Sequence, residues 1–427
     1  MNFEMPIFSV AIPEIFLLCA ACFILLVDVF LAARFRTLSY WLAQGTLLAG
    51  FILVWTQYRD YPQPIVTFGG NYILDKLAVL TKLFVLLTTA FTFVYAKQYL
   101  KGRRINAGEY YILGLFAVIG MMVMASASSF LTIYLGLELL SLSLYAMVAL
   151  QKESRLAVEA SMKYFIMGAM ASGILLYGIS MVYGVTGSIN IMDIAGLLQH
   201  VSQGQEAAVI VGLVFILSGL IFKFGAVPFH MWVPDVYQGA PTSVTLFIAC
   251  APKIAAFCVI MRVLAQAMPA LHVSWEHVLI VIALLSMFWG NVLAIAQTNI
   301  KRMLAYSSIA HVGYMLLGLI AGPADPQGYS AAMFYIATYV IVAAGAFAVI
   351  ALLARAGKEF DLLDDFRGLN ARNPWLAFIM LLLMFSMAGV PPTVGFFAKL
   401  GLLEALVHAH YVWLACVALL FAIIGAY

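Results

Sequence analysis

The stretch "FKFGAVPFHMW", Phe222 to Trp232, sets a lysine, Lys223, in one of the most apolar parts of the chain and follows it with glycine, proline and histidine. The apolar run that leads into it begins near residue 208. At 1.5 Å per helical residue, such a run can cross a hydrocarbon layer of about 30 Å. Runs of this kind recur from end to end. The 427 residues are 65% hydrophobic and 10% charged, whereas soluble domains are about a quarter charged. This composition belongs to an all-α polytopic membrane protein. The first run, Ile12 to Ala33, has no basic residue before it and carries Asp28, as expected of a retained helix rather than a cleaved signal peptide.

The pattern predicts thirteen spans: 12–33, 40–58, 73–96, 110–127, 129–150, 155–184, 208–227, 241–265, 276–298, 302–321, 329–354, 374–400 and 411–427. Pro228, Pro252, Pro391 and Pro392 lie in or beside the seventh, eighth and twelfth, which are therefore expected to be kinked or interrupted. With the N-terminus outside, fourteen of the 22 lysines and arginines fall in inner loops, among them Arg34, Arg36, Arg104, Lys301, Arg302, Arg355 and Lys358. The outer side keeps Arg59 and, at a helix end, Arg262, and the outer loop 185–207 has neither lysine nor arginine. That asymmetry orients the N-terminus outward.

Six basic residues remain in or at the edge of spans: Lys76, Lys82, Lys163, Lys223, Lys253 and Lys399. All six are lysine. A central basic residue costs roughly 2.5–3.5 kcal/mol on insertion scales. Buried lysine can give up a proton and arginine effectively cannot, so the choice favours proton handling over a fixed charge. Lys76, at the start of its helix, is read as snorkelling to the interface. Glu138 in the fifth span is the carboxylate available to a buried cation in the middle of the chain. Glu138 and Lys163 fall at depths of roughly 18 and 13 Å, which permits an ion pair between the fifth and sixth spans. For Asp28, neither a lipid-edge nor a partner-facing role is selected.

His230 follows the break in the seventh span, and His311 lies within the tenth, in "YSSIAHVGYML". Either can relay protons near neutral pH, and a hydrogen-bonded core residue is the alternative for His311. His200, His272, His277, His408 and His410 read as solvated. Cys19 and Cys22 have C-x-x-C spacing but lie inside a span without further ligands, so they read as packing residues. Phosphate-binding glycine loops and nucleophile elbows are absent, and no nucleotide, flavin or iron–sulfur cluster is expected on this chain.

The seventh and twelfth spans correspond. Each has a lysine near a glycine–proline break: Lys223 with Gly225 and Pro228, and Lys399 with Pro391, Pro392 and Gly395. By parity they run in opposite directions, as inverted repeats with broken helices do. The expected organisation is three N-terminal helices in 1–108, a first five-helix repeat in 109–270, and a second, inverted one in 271–427.

The segment from Phe222 to Phe257, "FKFGAVPFHMWVPDVYQGAPTSVTLFIACAPKIAAF", resembles the signature region of the antiporter-like membrane subunits of proton-pumping NADH:quinone oxidoreductase, respiratory complex I. "PDVYQGAP" resembles the N branch more than the L and M branches. "EASMKYFIMGAMASGILLYG", "NIKRMLAYSSIAHVGYMLLG" and "AGVPPTVGFFAKL" extend the resemblance over essentially the whole chain. It implies fourteen helices with two inverted five-helix repeats, and a central axis of protonatable groups carried here by Glu138, Lys163, Lys223, Lys253 and Lys399, with His230 and His311 in family motifs. It also implies NADH, FMN, iron–sulfur clusters and quinone in other subunits, neighbours of the M, K and J types, no nucleic acid, and an inner-membrane location. This sequence departs from the pattern by ending at Tyr427, in or at the end of the thirteenth span, so the last helix of the second repeat and its packing partner are expected to be incomplete. A subunit of a multi-subunit sodium/proton antiporter shares the same template and is the second reading; a purely structural spacer is the third.

Overall fold

The computed structural model describes residues 5–30, 37–103, 105, 107–354 and 359–426. The last three residues of the first expected span, the basic residues Arg34, Arg36, Arg104, Arg355 and Lys358, and Tyr427 lie outside the described residues.

The chain forms α1 (Ile12–Phe30), α2 (Thr37–Asp60), a short antiparallel hairpin of β1 (Ile65–Thr67) and β2 (Tyr72–Leu74), and α3 (Lys76–Arg103). Next come α4 (Ala107–Ala125), α5 (Phe130–Val148), α6 (Arg155–Thr186), the short α7 (Ile191–Leu197) and α8 (Gln203–Phe224). α9 (Trp232–Gly239), α10 (Thr242–Ala249) and α11 (Ala251–Met261) follow, the last passing into a π-helical turn, Arg262–Ala267. α12 (His272–Ile295), α13 (Ile300–Ala321), α14 (Gln327–Leu353), α15 (Leu369–Arg372), α16 (Pro374–Ala388), α17 (Val394–His408) and α18 (Val412–Ala426) complete the order. Among the described residues, eleven helical segments are long and apolar enough to cross a membrane, and α16 and α18 are shorter apolar helices.

Proline and glycine break the seventh, eighth and twelfth expected spans, each in a defined way. α8 stops at Phe224, where Gly225 adopts φ 81°, and the N–H groups of Gly225 and Ala226 both donate to the Ile221 carbonyl, at 2.9 and 3.2 Å. α16 stops at Ala388 in the same manner: Gly389 has φ 83°, and the N–H groups of Gly389 and Val390 both donate to Phe385, at 2.9 and 3.0 Å. The left-handed conformation at the residue after the helix selects glycine, and a proline three residues on prevents the helix from resuming. The eighth span divides at Cys250, two residues before Pro252, into α10 and α11. It is also the most buried of the long segments. The twelfth expected span runs on to His408, further than the apolar pattern indicated, as two helices joined by a short non-helical link.

Two compact units divide the chain. One comprises Met1–Leu220 with Ile254–Leu271, the other Ile221–Lys253 with His272–Tyr427. In each, helices cross on small residues. In the first, a Cβ on Gly120 would come within 2.7 Å of the Gly136 carbonyl, so α4 and α5 touch backbone to backbone. In the second, a Cβ on Gly290 would come within 2.5 Å of the Ala310 nitrogen, which sets α12 against α13. Small residues at such crossings allow the dispersion and Cα–H contacts that hold helices together without a hydrophobic drive.

Each unit also carries a short strap. In the first, Ser129 forms an antiparallel bridge with Asn190: Phe130 N donates to Ile189 O at 2.9 Å and Ile191 N to Ser128 O at 3.0 Å. In the second, Asn299 bridges Leu362 with the same bonding: Ile300 N to Asp361 O at 2.7 Å and Leu363 N to Thr298 O at 2.9 Å. In both cases the bridged residue is an N-cap, Ser129 of α5 and Asn299 of α13. The strap therefore occupies backbone groups next to a helix start that would otherwise lack partners.

Candidate proton-handling site

The second unit gathers most of the expected residues. Lys253, on α11, is 4% exposed, and its ammonium donates to the Phe224 carbonyl at 3.3 Å. Lys399, on α17, donates to Ala388 O at 2.8 Å and Met387 O at 3.2 Å. Each lysine thus sits on the carbonyl end of a broken helix, α8 or α16. A cation is favoured there both by the unpaired carbonyls and by the negative end of the helix dipole. Gly389 has a second role at this point, since a Cβ there would lie 2.9 Å from Lys399 Cδ.

Tyrosines and one histidine fill the space between the two lysines. Lys253 Nζ stands 5.7 Å from the Tyr339 ring centre, and that ring is 5.0 Å from the ring of His311. His311, 8% exposed, shares a 2.7 Å hydrogen bond through Nδ1 with the Tyr335 hydroxyl. Its ring is 6.4 Å from that of Tyr314, and Lys399 Nζ lies 5.1 Å from the Tyr314 ring centre. The aromatic faces stabilise the two cations where water is scarce. Tyr314, Tyr335 and Tyr339 escaped the sequence reading; the available signal was their helical spacing, His311 to Tyr314 and Tyr335 to Tyr339 at three and four residues.

A cavity of about 410 Å³ opens beside this row, lined by His311, Tyr314, Lys399, Asn291, Ser307 and Gln297 among others. Its lining follows α13 from Met303 to Tyr314, a depth of about 16 Å at the helical rise. The cavity can supply water to both Lys399 and His311, because it offers room and several polar partners.

Lys223 lies in the last turn of α8, half-buried, and His230 is half-buried in the link to α9. Trp232 fixes that link by donating its indole N–H to Phe222 O at 2.8 Å. The expected Glu138 and Lys163 belong to the first unit, and each has a local partner on α6. Ser172 donates to the Glu138 carboxylate, and Lys163 Nζ lies 3.0 Å from Glu159. Lys163 and Glu159 are both exposed on a face that also shows Met162, Phe165 and Ile166.

Two charges, Arg262 and Lys301, differ from the sequence-based placement. Arg262, expected at an outer helix end, is fully buried in the π-helical turn, donating to Ala125 O at 2.9 Å and to both oxygens of Asp75 at 2.7 and 3.0 Å. Lys82 is fully buried too, 2.5 Å from Glu14 and 2.9 Å from the Tyr72 hydroxyl. Burial raises the Tyr72 pKa, with Lys82 opposing, so Tyr72 stays a donor and bonds Val10 O at 2.8 Å. Lys301, expected in a solvated inner loop, is 2% exposed and donates to Ala240 O at 3.0 Å. Its neighbour Arg302 reaches Asp235 at 2.7 Å and Gln238 at 3.1 Å. The "NIKRM" and "PDVYQGAP" segments are therefore complementary parts of one joint. Lys76 is exposed at the start of α3, Asp28 accepts from Ser39 at 2.5 Å, and Cys19 and Cys22 face outward on α1 instead of packing inside. Among the described residues, no group of three histidine, cysteine or carboxylate side chains could hold a metal ion.

Residues 127–425, which contain this row of groups, match the model of the NADH:quinone oxidoreductase/Mrp antiporter transmembrane family. The chain belongs to this family. Among curated relatives, NADH-quinone oxidoreductase subunit N of Thioalkalivibrio sulfidiphilus is 55% identical over 427 residues, 100% of this chain and 88% of that protein. The subunit N protein of Coxiella burnetii is 53% identical, over 99% of this chain and 88% of its own length. Among solved structures, a chain of respiratory complex I from Thermus thermophilus superimposes with a TM-score of 0.81 at 31% identity, covering 97% of this chain and 87% of that one. The helical fold of the family is thus the fold of this chain, and its broken helices, α8–α9 and α16–α17, fall inside the matched region.

Proposed function

We propose that this chain is subunit N of NADH:quinone oxidoreductase and moves protons across the inner membrane as electrons pass from NADH to quinone in other subunits. One observation carries the mechanism: Lys253 and Lys399, each on the carbonyl end of a broken helix, are joined through Tyr339, His311 and Tyr314 beside a cavity that can hold water. A lysine that loses its proton also loosens its hold on those carbonyls, which then draw water. Protonation and hydration are coupled in this way at both breaks. Lys223 loads protons from the α8 end, Lys253 passes charge toward His311, and Lys399 releases it. Glu138 and Lys163 in the first unit bias the loading step, and His230 relays at the α8–α9 link. FMN, iron–sulfur clusters and quinone belong to other subunits of the complex.

The chain is read as two inverted five-helix repeats after three N-terminal helices. The matching glycine-ended breaks, the Gly120 and Gly290 crossings and the twin straps support this reading. The N-terminus is assigned to the periplasmic side from the distribution of lysine and arginine. The exposed Lys163–Glu159 pair on α6 supports a neighbouring membrane subunit there, of the K or M type, because a charged pair on an otherwise apolar face is costly against lipid.

The test uses sealed membrane vesicles containing the assembled complex. NADH plus quinone should drive proton uptake, and replacing Lys223 and Lys399 together by alanine should abolish the contribution of this subunit while leaving the complex assembled. Full uptake in the double variant would reject the assignment. Proton movement driven by a sodium gradient alone would favour the antiporter reading instead.

A further inference from the structure

The cavity beside His311 and Lys399 has one end at the strap. Leu363 is among its lining residues, together with Gln297 and Met303, and all three lie near the start of α13. This is the basic end of the second unit, where Lys301, Arg302, Arg367 and Arg372 cluster in sequence around the helix starts. The strap, residues 359–366, crosses that end; four bonds fasten it to the starts of α10 and α13, and Arg372 of α15 donates to Asp365 O within it. Two are the backbone bonds at Ile300 and Leu363 described above. The other two are made by side chains: Asn299 Nδ2 donates to Asp361 at 2.8 Å, and Thr242 Oγ1 donates to Glu359 at 3.0 Å.

The corresponding strap of the first unit is backed by the β1–β2 hairpin. Asn190 donates through its side chain to Gly70 O at 2.9 Å, Ser128 N donates to Asn71 O at 3.1 Å, and Ile73 N donates to Ser126 O at 2.8 Å. The β1–β2 hairpin therefore clamps that strap and its helix start together, with a further bridge between Tyr72 and Ala127. The second strap has side-chain bonds where the first has a hairpin. The acceptors of these bonds, Glu359 and Asp361, are half-buried while their donors are buried, and the net worth of each bond is only about 1 kcal/mol. Leu362 and Leu363, at the middle of the second strap, are 49% and 38% exposed.

We infer that the strap Glu359–Phe366 is a gate for water entering the His311–Lys399 cavity from the basic end, with Leu363 as its plug and the Asp361–Asn299 bond as its latch. In the closed state Leu363 keeps an apolar side chain at the cavity mouth. When the latch and the bridge at Asn299 part, the strap swings from the start of α13 and the mouth admits water. Asp361 is half-buried, so water can take the place of Asn299 at its carboxylate, and the water admitted at the mouth serves the released groups of Asn299 and Ile300. This rests on the proton-carrying reading for its purpose, because a water route to Lys399 is useful only if that lysine exchanges protons. The gate itself is a statement about access and can be tested separately.

The experiment measures access of a thiol reagent. Ser307 lines the cavity about 12 Å beyond Asn299 along α13. Ser307→Cys is introduced into the assembled complex with the five native cysteines replaced, and sealed vesicles exposing the basic end are treated with a small membrane-impermeant maleimide. Leu363→Ala, a change at an exposed residue that leaves the fold intact, should speed labelling at least several-fold. Asp361→Ala should do likewise by releasing the latch, and Leu363→Trp should slow it. Labelling rates unchanged by all three, or labelling only from the opposite membrane face, would overturn the gate. Accelerated labelling without any change in NADH-driven proton uptake would uphold the gate and count against the proton-carrying role of the cavity.

Discussion

Lys399 Nζ donates to the Ala388 carbonyl at 2.8 Å, so the side chain of α17 closes the end of α16. One residue thereby joins two halves of a broken span, and under the proposed function this cap is also the proton carrier. Lys253, on α11 of the next span, likewise closes the end of α8 through Phe224 O at 3.3 Å.

The two roles of Lys399 separate on substitution. Lys399→Arg keeps a cation and its donors at the carbonyls but cannot release a proton at any working pH. The variant should retain the thermal stability of the complex and lose the proton uptake that depends on this subunit. Lys399→Met removes the donor as well, and leaving charged-donor bonds unmade at buried carbonyls costs about 1.5–3 kcal/mol. It should lower the melting temperature in addition to abolishing uptake. Equal uptake in wild type and Lys399→Arg would remove proton release from the role of this lysine.

Gly389→Ala tests the geometry that gives Lys399 its position. Alanine is strained at φ 83°, and its Cβ would meet Lys399 Cδ at 2.9 Å. Moving the ammonium off the carbonyls should slow NADH-driven proton uptake and cost about 1–2 kcal/mol of stability. Proton uptake and melting temperature measured on the same preparation check both effects.

The breaks were readable from the sequence because glycine and proline act locally: "KFGAVP" and "MAGVPP" state where the helix ends. The lysines were readable because a charge in an apolar run is costly wherever its partner lies. The partners were not. Phe224 O and Ala388 O are backbone atoms with no signature of their own, and Tyr335 meets His311 only through the packing of α14 on α13. Arg262 misled for a similar reason. Its position at the end of an apolar run looks interfacial, but a π-helical turn brings its guanidinium to Asp75, 187 residues away in sequence. The Glu14–Lys82 pair likewise joins a helix start to a residue in the third span, and no local pattern announces it.

Tyr335→Phe removes the hydroxyl that shares a 2.7 Å bond with His311 Nδ1 and leaves the ring in place. That bond fixes the orientation of the imidazole and which nitrogen holds its proton. Its loss should cost about 1 kcal/mol in stability. Proton uptake should fall by a larger margin than that stability change explains, because a freely turning ring no longer presents one nitrogen toward Lys399. If uptake matches wild type while the melting temperature drops, His311 is a core residue and the row between the lysines runs without it.

Arg262 and Asp75 provide the test of a purely structural charge pair. Arg262→Met leaves Asp75 facing a buried site without its cation, and breaking a buried pair from one side costs about 3–5 kcal/mol. The guanidinium also fills the Ala125 carbonyl, so the π-helical turn loses its anchor in the same variant. Adding Asp75→Leu should restore part of the stability, since an apolar pair of similar volume leaves no uncompensated charge. Melting temperatures of the two single variants and the double one form the cycle that measures this coupling. NADH-driven proton uptake, normalised to folded complex, should be the same in wild type and the double variant, in contrast to the Lys399 series. A double variant no more stable than Arg262→Met would show that the guanidinium acts mainly through Ala125, with the Asp75 pair contributing little.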